Sequence, residues 1–375
     1  MVKGNIRLTL MIGPVLPVPV SKSIIDALQS VEVSSGAGEP GGFQLTFAFS
    51  SKSPLNTLLL LLGQVGPIIR TIIIATVNGM PHVLMDGVIV NHQLSPNLET
   101  GQSTLIVTGS DLTAVMAAID FTGIPYPAMP AEARVALIVA KYAVFGMMPL
   151  VIPSMFMDVP IPVMRIPTHQ GTDLEYINKL AEEVGYVFYI EPGPAPGTNV
   201  AYWGPEIKVG VPQPALNVNM DAHTNVESLN FSINGASKKM PVIYIQIAET
   251  RMSIPIPIPD ISPLNPPLGL IPPKAVRFEM MRDTAKCNPV QALGKGVAEA
   301  SRSSDAVSGS GSLDVLRYGR ILKARGLVGV RGAGDAFNGL YFVKKVTHKI
   351  KHGEYKQDFE FTRNGLVSTV PKVPV

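Results

Sequence analysis

Glycine and proline each occur 34 times among 375 residues, and neither follows a period. Together they make up about 18% of the chain, against ~12% in an average sequence. Breakers this frequent leave little room for long helices, and the lack of a three-residue period excludes collagen. What they permit is many short strands joined by turns. Residues 5–13, 43–50, 68–77, 82–93 and 103–109 read as such strands, rich in Ile, Val, Leu and Thr. Asn78-Gly79 lies between two of them, a hairpin signal because both positions tolerate positive φ. Ile6, Leu8 and Leu10 alternate with Arg7, Thr9 and Met11, the period of a half-buried strand. A first β domain over 1–108 follows.

The pattern changes in the middle of the chain. Ser110 is read as the N-cap of a short helix reaching about residue 119. Pro130 precedes a helix over 131–142, with Val135, Ile138, Val139 and Tyr142 on one side. Thr172-Asp173-Leu174-Glu175 has the form of a capping box, in which threonine and glutamate satisfy each other's orphan backbone donors. Leu174, Ile177, Leu180, Ala181 and Val184 continue at helical spacing, and Gly185 stands where a left-handed residue ends the helix. A strand over 186–191, a Gly/Pro turn at 193–197 and a returning strand over 200–203 complete an α+β unit over 109–208.

The last part, 209–375, is β again, with strands expected at 226–234, 240–246, 327–331, 339–351 and 355–363. The proline-rich stretch 255–273 cannot hold a central strand, because proline lacks the backbone donor; it is read as an extended arm. Residues 294–312 are small and polar. They are read as a connection with one helical turn at most.

Charged residues are only 16% of the chain, against about 25% in average soluble proteins. A surface so poor in charge is expected to be covered by other subunits. Net charge is +3, from 31 basic and 28 acidic residues, too balanced for nucleic-acid binding by the whole chain. The distribution is uneven. Residues 315–364 hold eleven Lys/Arg and four Asp/Glu, whereas 1–150 hold seven and eight. That basic segment is either a solvated or interfacial strand face or a surface for an acidic partner or passing DNA, and both readings stand here. The lone Cys287 permits no intrachain disulfide. The apolar run 58–77 is broken by Gly63, Gln64, Gly66, Pro67 and Arg70, so no membrane span is expected. Pro14, Pro17 and Pro19 interrupt the N-terminal run, which argues against a signal peptide and for synthesis in the cytoplasm.

No catalytic, cofactor or metal set emerges. His348 and His352 are four apart, a ligand spacing on a helix. In a strand the same spacing spans about 13 Å. Gly332-Ala333-Gly334 lacks the helix and lysine of a phosphate loop. The Ser/Gly stretch at 308–311 is not a nucleophile elbow. Glu182 and Glu183 point to different sides of their helix, and His82, His92, His169 and His223 are scattered. Trp203, the only tryptophan, is read as a core or interface anchor.

Two stretches carry a family resemblance. Residues 172–190 (TDLEYINKLAEEVGYVFYI) followed by 199–205 (NVAYWGP) resemble the central signature of phage tail hub proteins. These are the late control protein D family and the hub portion of type VI secretion spike proteins. Arg317-Tyr318-Gly319-Arg320, 330–334, 339–343, 346–348 and 353–355 resemble the same family's closing barrel. A weaker match joins Ser110-Asp111-Leu112 to 130–142. The resemblance covers about 40–365.

The resemblance implies an α+β, β-rich fold in which two tube-like β-barrels (1–108 and 209–375) flank an α+β middle domain (109–208). It implies a homotrimer whose six barrels form a pseudo-sixfold ring between an inner tube and a spike. Further expected partners are other baseplate subunits, with DNA or cargo protein passing through the channel. The spike proteins continue into an oligonucleotide-fold domain and a β-helix, whereas this sequence stops at Val375, so a separate spike polypeptide is expected. The implied role is structural, without enzyme activity, cofactor or membrane insertion, in a phage tail, secretion system or extracellular injection particle. The alternative is a tail-associated or cell-wall-directed hydrolase, which a clustered pair of buried carboxylates would favour. Expected structural anchors are Leu174, Ile177, Tyr186, Trp203, Tyr341 and His348. One continuous core, or ends of the chain that share no cylinder shape, would overturn the adaptor reading.

Overall fold

The computed structural model describes residues 2–3, 6–49, 56, 68–96, 103–154, 160, 162–163, 166–234, 238–246, 252–258, 266–272, 277–281, 289–302 and 305–370. The fold is β-rich α+β, built on one 14-stranded sheet. Its N-terminal half contains β1 (Ile6–Gly13), β2 (Leu28–Gly36), β3 (Gly42–Phe49), β4 (Arg70–Val77), β5 (Met80–Pro96) and β6 (Ser103–Asp111). Alternation sets the faces: Phe43, Leu45, Phe47 and Phe49 of β3 are buried, while Gln44, Thr46 and Ala48 are not. Asn78 and Gly79 both adopt positive φ in the turn between β4 and β5, as the dipeptide demands.

The middle unit leaves the sheet after β6. It comprises α1 (Thr113–Met116), α2 (Ala131–Ala140), β7 (Met147–Val151), α3 (Asp173–Val184), β8 (Val187–Pro192) and β9 (Asn199–Gly204). Strands β8, β9 and β7 form a small sheet of their own. The helix α3 begins with the full capping box, the Thr172 side chain accepting from Glu175 and the Glu175 side chain from Thr172. It ends at Gly185 in the left-handed region. Ile177, Leu180, Ala181, Val135, Ile138 and Trp203 meet in a second core.

The chain then returns through β10 (Gln213–Asn217) and β11 (Ser228–Ile233). A separate small sheet follows, of β12 (Lys239–Gln246), β13 (Ser253–Pro257) and β14 (Arg277–Met280), with α4 (Pro289–Arg302) beside it. The last strands are β15 (Val307–Asp314), β16 (Leu327–Arg331), β17 (Gly339–Lys351) and β18 (Glu354–Arg363).

The first and last parts share a strand order that no sequence repeat announces. In the first, the neighbours run β4-β5-β6-β3-β2; in the last, β16-β17-β18-β15-β11. Numbered from one within each set of five, both read third, fourth, fifth, second, first. Every neighbouring pair is antiparallel. Against the fifth strand, the fourth strand of each set slips register at one place, between Ile89 and Asn91 in β5 and between Val343 and Lys345 in β17. Just before each slip the same backbone bond recurs, Ile89 N–H to Ile69 O at 2.9 Å and Val343 N–H to Gly326 O at 2.8 Å. The two sets are joined edge to edge. Strand β2 pairs antiparallel with β17, from Gly36 opposite Lys345 to Ser30 opposite Lys351.

That junction merges the interiors. One hydrophobic core runs from Leu10 and Phe47 to Tyr341 and Phe361. Among the described residues, neither set closes into a barrel. A buried cluster fastens the middle unit to the first set. Arg70 Nε and Nη2 each donate to Asp86 at 2.7 Å, and Nη2 also donates to Phe145 O at 2.7 Å. Asn199 Nδ2 donates to the same carboxylate at 2.8 Å. A lysine does the same for the last set: Lys208, buried, lies 2.9 Å from Asp305.

Three expectations are corrected here. Ser110 does not cap a helix: Ser110 and Asp111 end β6, and only the single turn α1 follows, with the Asp111 carboxylate accepting from Thr113 N–H at 3.0 Å. Residues 255–257 do form strand, on the edge of their small sheet, where proline's missing donor costs nothing; 259–265 lie outside the described residues. The third correction is the largest. The stretch 294–312 is the second half of α4 and most of a central strand, β15. Its glycines are not flexible spacers. A Cβ at Gly309 would sit 2.4 Å from the Phe361 ring, and one at Gly311 2.8 Å from the Phe359 ring. The two rings occupy the space that side chains on β15 would take.

Two substitutions test this account. Gly311→Val should destabilise the fold by about 1–3 kcal/mol through overpacking against Phe359, read as a lower denaturant midpoint. Ser310→Val, on the opposite face, should change it little. Arg70→Ala removes the cation paired with buried Asp86 and the guanidinium donors to Val15, Phe145 and Gly197 carbonyls and should cost about 3–5 kcal/mol, with thermal unfolding as the readout.

Candidate assembly surface

The joined sheet has one apolar face and one polar face. Reading across the pairing from β5 to β11, the polar face presents hydroxyl and amide side chains on strand after strand. Gln93 and Ser95 lie on β5, Thr104 and Thr108 on β6, Gln44 and Thr46 on β3, and Ser30 and Ser34 on β2. Beyond the junction come Thr347 on β17, Thr362 on β18, Ser308, Ser310 and Ser312 on β15, and Ser228, Asn230 and Ser232 on β11. Ile106 and Ala48 are apolar members of this open part of the face, and Val88 on β5 and Leu340 and Phe342 on β17 also turn to this side but are covered in separate apolar clusters. An eight-strand face so thoroughly polar is solvated, not packed against a core.

Its charges gather around the junction and offset one another. Lys345, Lys349, Lys351 and Lys356 share the face with Glu32, Asp314, Asp358 and Glu360. Lys349 lies 2.5 Å from Asp358, Lys356 3.0 Å from Glu227 and 3.1 Å from Glu354, and Lys345 3.3 Å from Glu39. Two more cations of the basic segment are turned inward. Arg325 lies over the Tyr189 ring at 4.0 Å and donates to Gly36 O at 2.6 Å. Arg363 donates to Asn338 O and Ala336 O at 2.8 and 2.7 Å. Around the junction three lysines are thus paired with carboxylates, while Arg317, Arg320, Lys323 and Lys344 of the same segment are exposed.

The outermost strands leave backbone edges open. Beyond the part of β5 paired with β4, residues 90–96 have no strand on that side among the described residues, and Val90 is 66% and Leu94 44% exposed. Among the described residues strand β11 pairs only with β15, and Ile233 is 49% exposed. Open, partly apolar edges invite pairing with another chain.

The six expected anchors fall into two groups. Ile177 and Trp203 are fully buried in the middle core, with Leu174 and Tyr186 packed on its margin. Tyr186 meets Trp203 edge-on at 4.8 Å between centroids. Tyr341 and His348 sit in the sheet core, and nothing brings them to the other four. His348 Nδ1 shares a hydrogen bond with the Tyr355 hydroxyl at 2.8 Å, and complete burial pushes its pKa down to about 4, so it is neutral at pH 7. A residue in that role packs, and His352 lies in the turn that follows β17. Cys287 lies outside the described residues.

Chemistry of other kinds is tied up in structure. Asp86 and Asp111 border a cavity of about 300 Å³ with Glu191, Arg325 and His348. Both oxygens of Asp86 accept from Arg70, and those of Asp111 accept from Gly41 and Thr113. Burial raises the Asp111 pKa, and those hydrogen bonds oppose the rise. Asp173, read from sequence as a capping neighbour, accepts from Lys141 at 2.7 Å and from Tyr142 at 2.6 Å. His169 is buried beside it, with burial lowering its pKa. Among the described residues no three His, Cys, Asp or Glu side chains converge as a metal site, and no helix is long and apolar enough to cross a membrane. The Arg70–Asp86–Asn199 cluster escaped sequence reading because its members are far apart in the chain and form no motif.

No family model and no curated protein matches the sequence. Solved structures do. A tail protein from Neisseria meningitidis superposes with a TM-score of 0.64 at 11% identity, over 97% of this chain and 98% of its own. A prophage MuSo2 tail protein from Shewanella oneidensis gives 0.63 at 12%, over 96% and 98%. An Escherichia coli component of the type VI secretion system, itself similar to bacteriophage tail proteins, gives 0.54 at 12%, over 93% and 78%. At such identities it is the path of the backbone that is shared, across nearly the whole chain: this protein has the fold of phage tail and type VI secretion proteins.

Proposed function

We propose that this chain is a structural baseplate hub subunit, three copies of which form a pseudo-sixfold ring between an inner tube and a spike. The observation that supports it most directly is the strand order repeated twice and joined laterally through β2 and β17. Two equivalent five-strand sets per copy let three copies present six. Each set, with its flanking strand β1 or β10, is the tube-like element of domains 1–108 and 209–375, and 109–208 is the middle domain. The continuous core, which the sequence reading set against an adaptor, is reconciled by this junction. Two sets that share a backbone ladder necessarily share the apolar layer beneath it, yet each keeps its own strand order.

In this reading the polar face lines the channel. Hydroxyls, amides and mutually offset charges give DNA or cargo protein nothing strong to bind. The six anchors act by packing, Leu174, Ile177, Tyr186 and Trp203 within the middle domain and Tyr341 and His348 within the second tube element. The partners are a second and third copy, the tube protein, a spike protein and other baseplate subunits; the chain is made in the bacterial cytoplasm and incorporated into a phage tail or injection particle. The role is mechanical and not enzymatic, since the buried carboxylates already serve Arg70, Asn199, Gly41 and Thr113.

The purified chain should be a trimer by analytical ultracentrifugation and native mass spectrometry, and negative-stain images should show a ring with a central hole. A monomer that degrades cell-wall polymer would overturn the reading in favour of the hydrolase.

A further inference from the structure

The internal junction is a template for a second one. Aligning the register slips places Asn91 of β5 on Lys345 of β17. Pairing across the sheet then carries the equivalence to the other edge. Gln93, Ile106, Thr46 and Ser30 form one row of cross-strand neighbours in the first set. Thr347, Asp358, Ser312 and Ser228 form the corresponding row in the last set. Residues 228–234 thus stand where 30–36 stand, and 91–96 where 345–350 stand. In the first case those positions already pair, 30–36 with 345–351. In the second they are the two open edges.

We infer that β11 of one copy pairs antiparallel with residues 92–96 of β5 in the next, in the register of the internal junction: Ile233 opposite His92, Ser232 opposite Gln93, Phe231 opposite Leu94, Asn230 opposite Ser95, and Leu229 opposite Pro96. This rests on the ring reading and adds the contact that closes it. The template is explicit. Ser34 faces Thr347 as Ser232 would face Gln93, and Val33 faces His348 as Phe231 would face Leu94.

The side chains agree with the register independently of the alignment. Ser232 and Asn230 lie on the polar face of β11, and Gln93 and Ser95 on the polar face of β5. Phe231 packs on Phe337, Tyr341 and Phe361 beneath the sheet, and Leu94 is opposite Leu105 on the same side. A slip of one residue would turn Phe231 into the polar layer, because strand side chains alternate. The partner is fixed by the same argument. Neither edge matches itself, since β11 supplies the first-strand position and β5 the fourth-strand position. Edges that are complementary and not self-matching make a head-to-tail contact, which gives a closed ring when the rotation between copies is that of the internal junction and an open filament otherwise.

Cysteine pairs test it in the full chain with Cys287→Ser. Chains carrying Gln93→Cys are mixed with chains carrying Ser232→Cys, reassembled and oxidised. The mixture should yield covalent dimer on a non-reducing gel, and neither variant alone should. A second pair, Ser95→Cys with Asn230→Cys, repeats the test should one variant misfold, with circular dichroism checking each. Bonded dimer from one variant alone would mean like-with-like edge pairing and would overturn the inference. So would a ring or trimer that forms with neither pair bonding, which leaves the hub reading standing. Variants that stay monomeric, like an unsubstituted chain that stays monomeric, would remove the hub reading itself.

Discussion

The ladder between β2 and β17 is the contact on which the architecture turns. Seven consecutive residue pairs join a strand from the start of the chain to one near its end. Without it the molecule would be two short open sheets, each exposing an apolar layer along one edge. With it the two strand sets become one surface, one core and one polar face. Contacts this distant in sequence are entropically costly to form. They are repaid by the apolar side chains that the ladder covers on its inner side, Val31, Val33, Val346 and Ile350 among them.

Everything else is arranged around that surface. The middle unit leaves at the end of β6 and is fastened back by Arg70, Asp86 and Asn199, a buried cluster in which the Asp86 carboxylate accepts from both of the other side chains. The small sheet of β12, β13 and β14 is inserted between β11 and β15, the first and second strands of their set, where the first set has only a short turn between β2 and β3. The repeated order is thus decorated differently in its two occurrences.

The polar face owes its character to small residues more than to charge. On β15, serines take the outer positions while Gly309 and Gly311 lie beneath the Phe361 and Phe359 rings. The large rings of β18 fill the core there, so β15 needs no bulk of its own. Lys345, Lys349 and Lys356 of the basic segment are balanced in place by carboxylates, and Arg325 and Arg363 are turned inward.

The sequence by itself determined the local pieces: the capping box and Gly185 of α3, the Asn78-Gly79 hairpin, the long alternating strands β3, β17 and β18, and the hub-like signatures at 172–205 and 317–355. Each rests on residues close together in the chain, where turn chemistry and side-chain period act directly. Only the tertiary structure decided that 307–314 is a central strand, that 289–302 is a helix, that Arg70 and Asp86 are partners, and that both ends of the chain repeat one strand order. A serine–glycine strand has no hydrophobic pattern of its own and becomes a strand because Phe359 and Phe361 supply the bulk it lacks. A repeat held in pairing order, not in side chains, leaves no trace in the letters, since the backbone bonds that define it are the same for every residue.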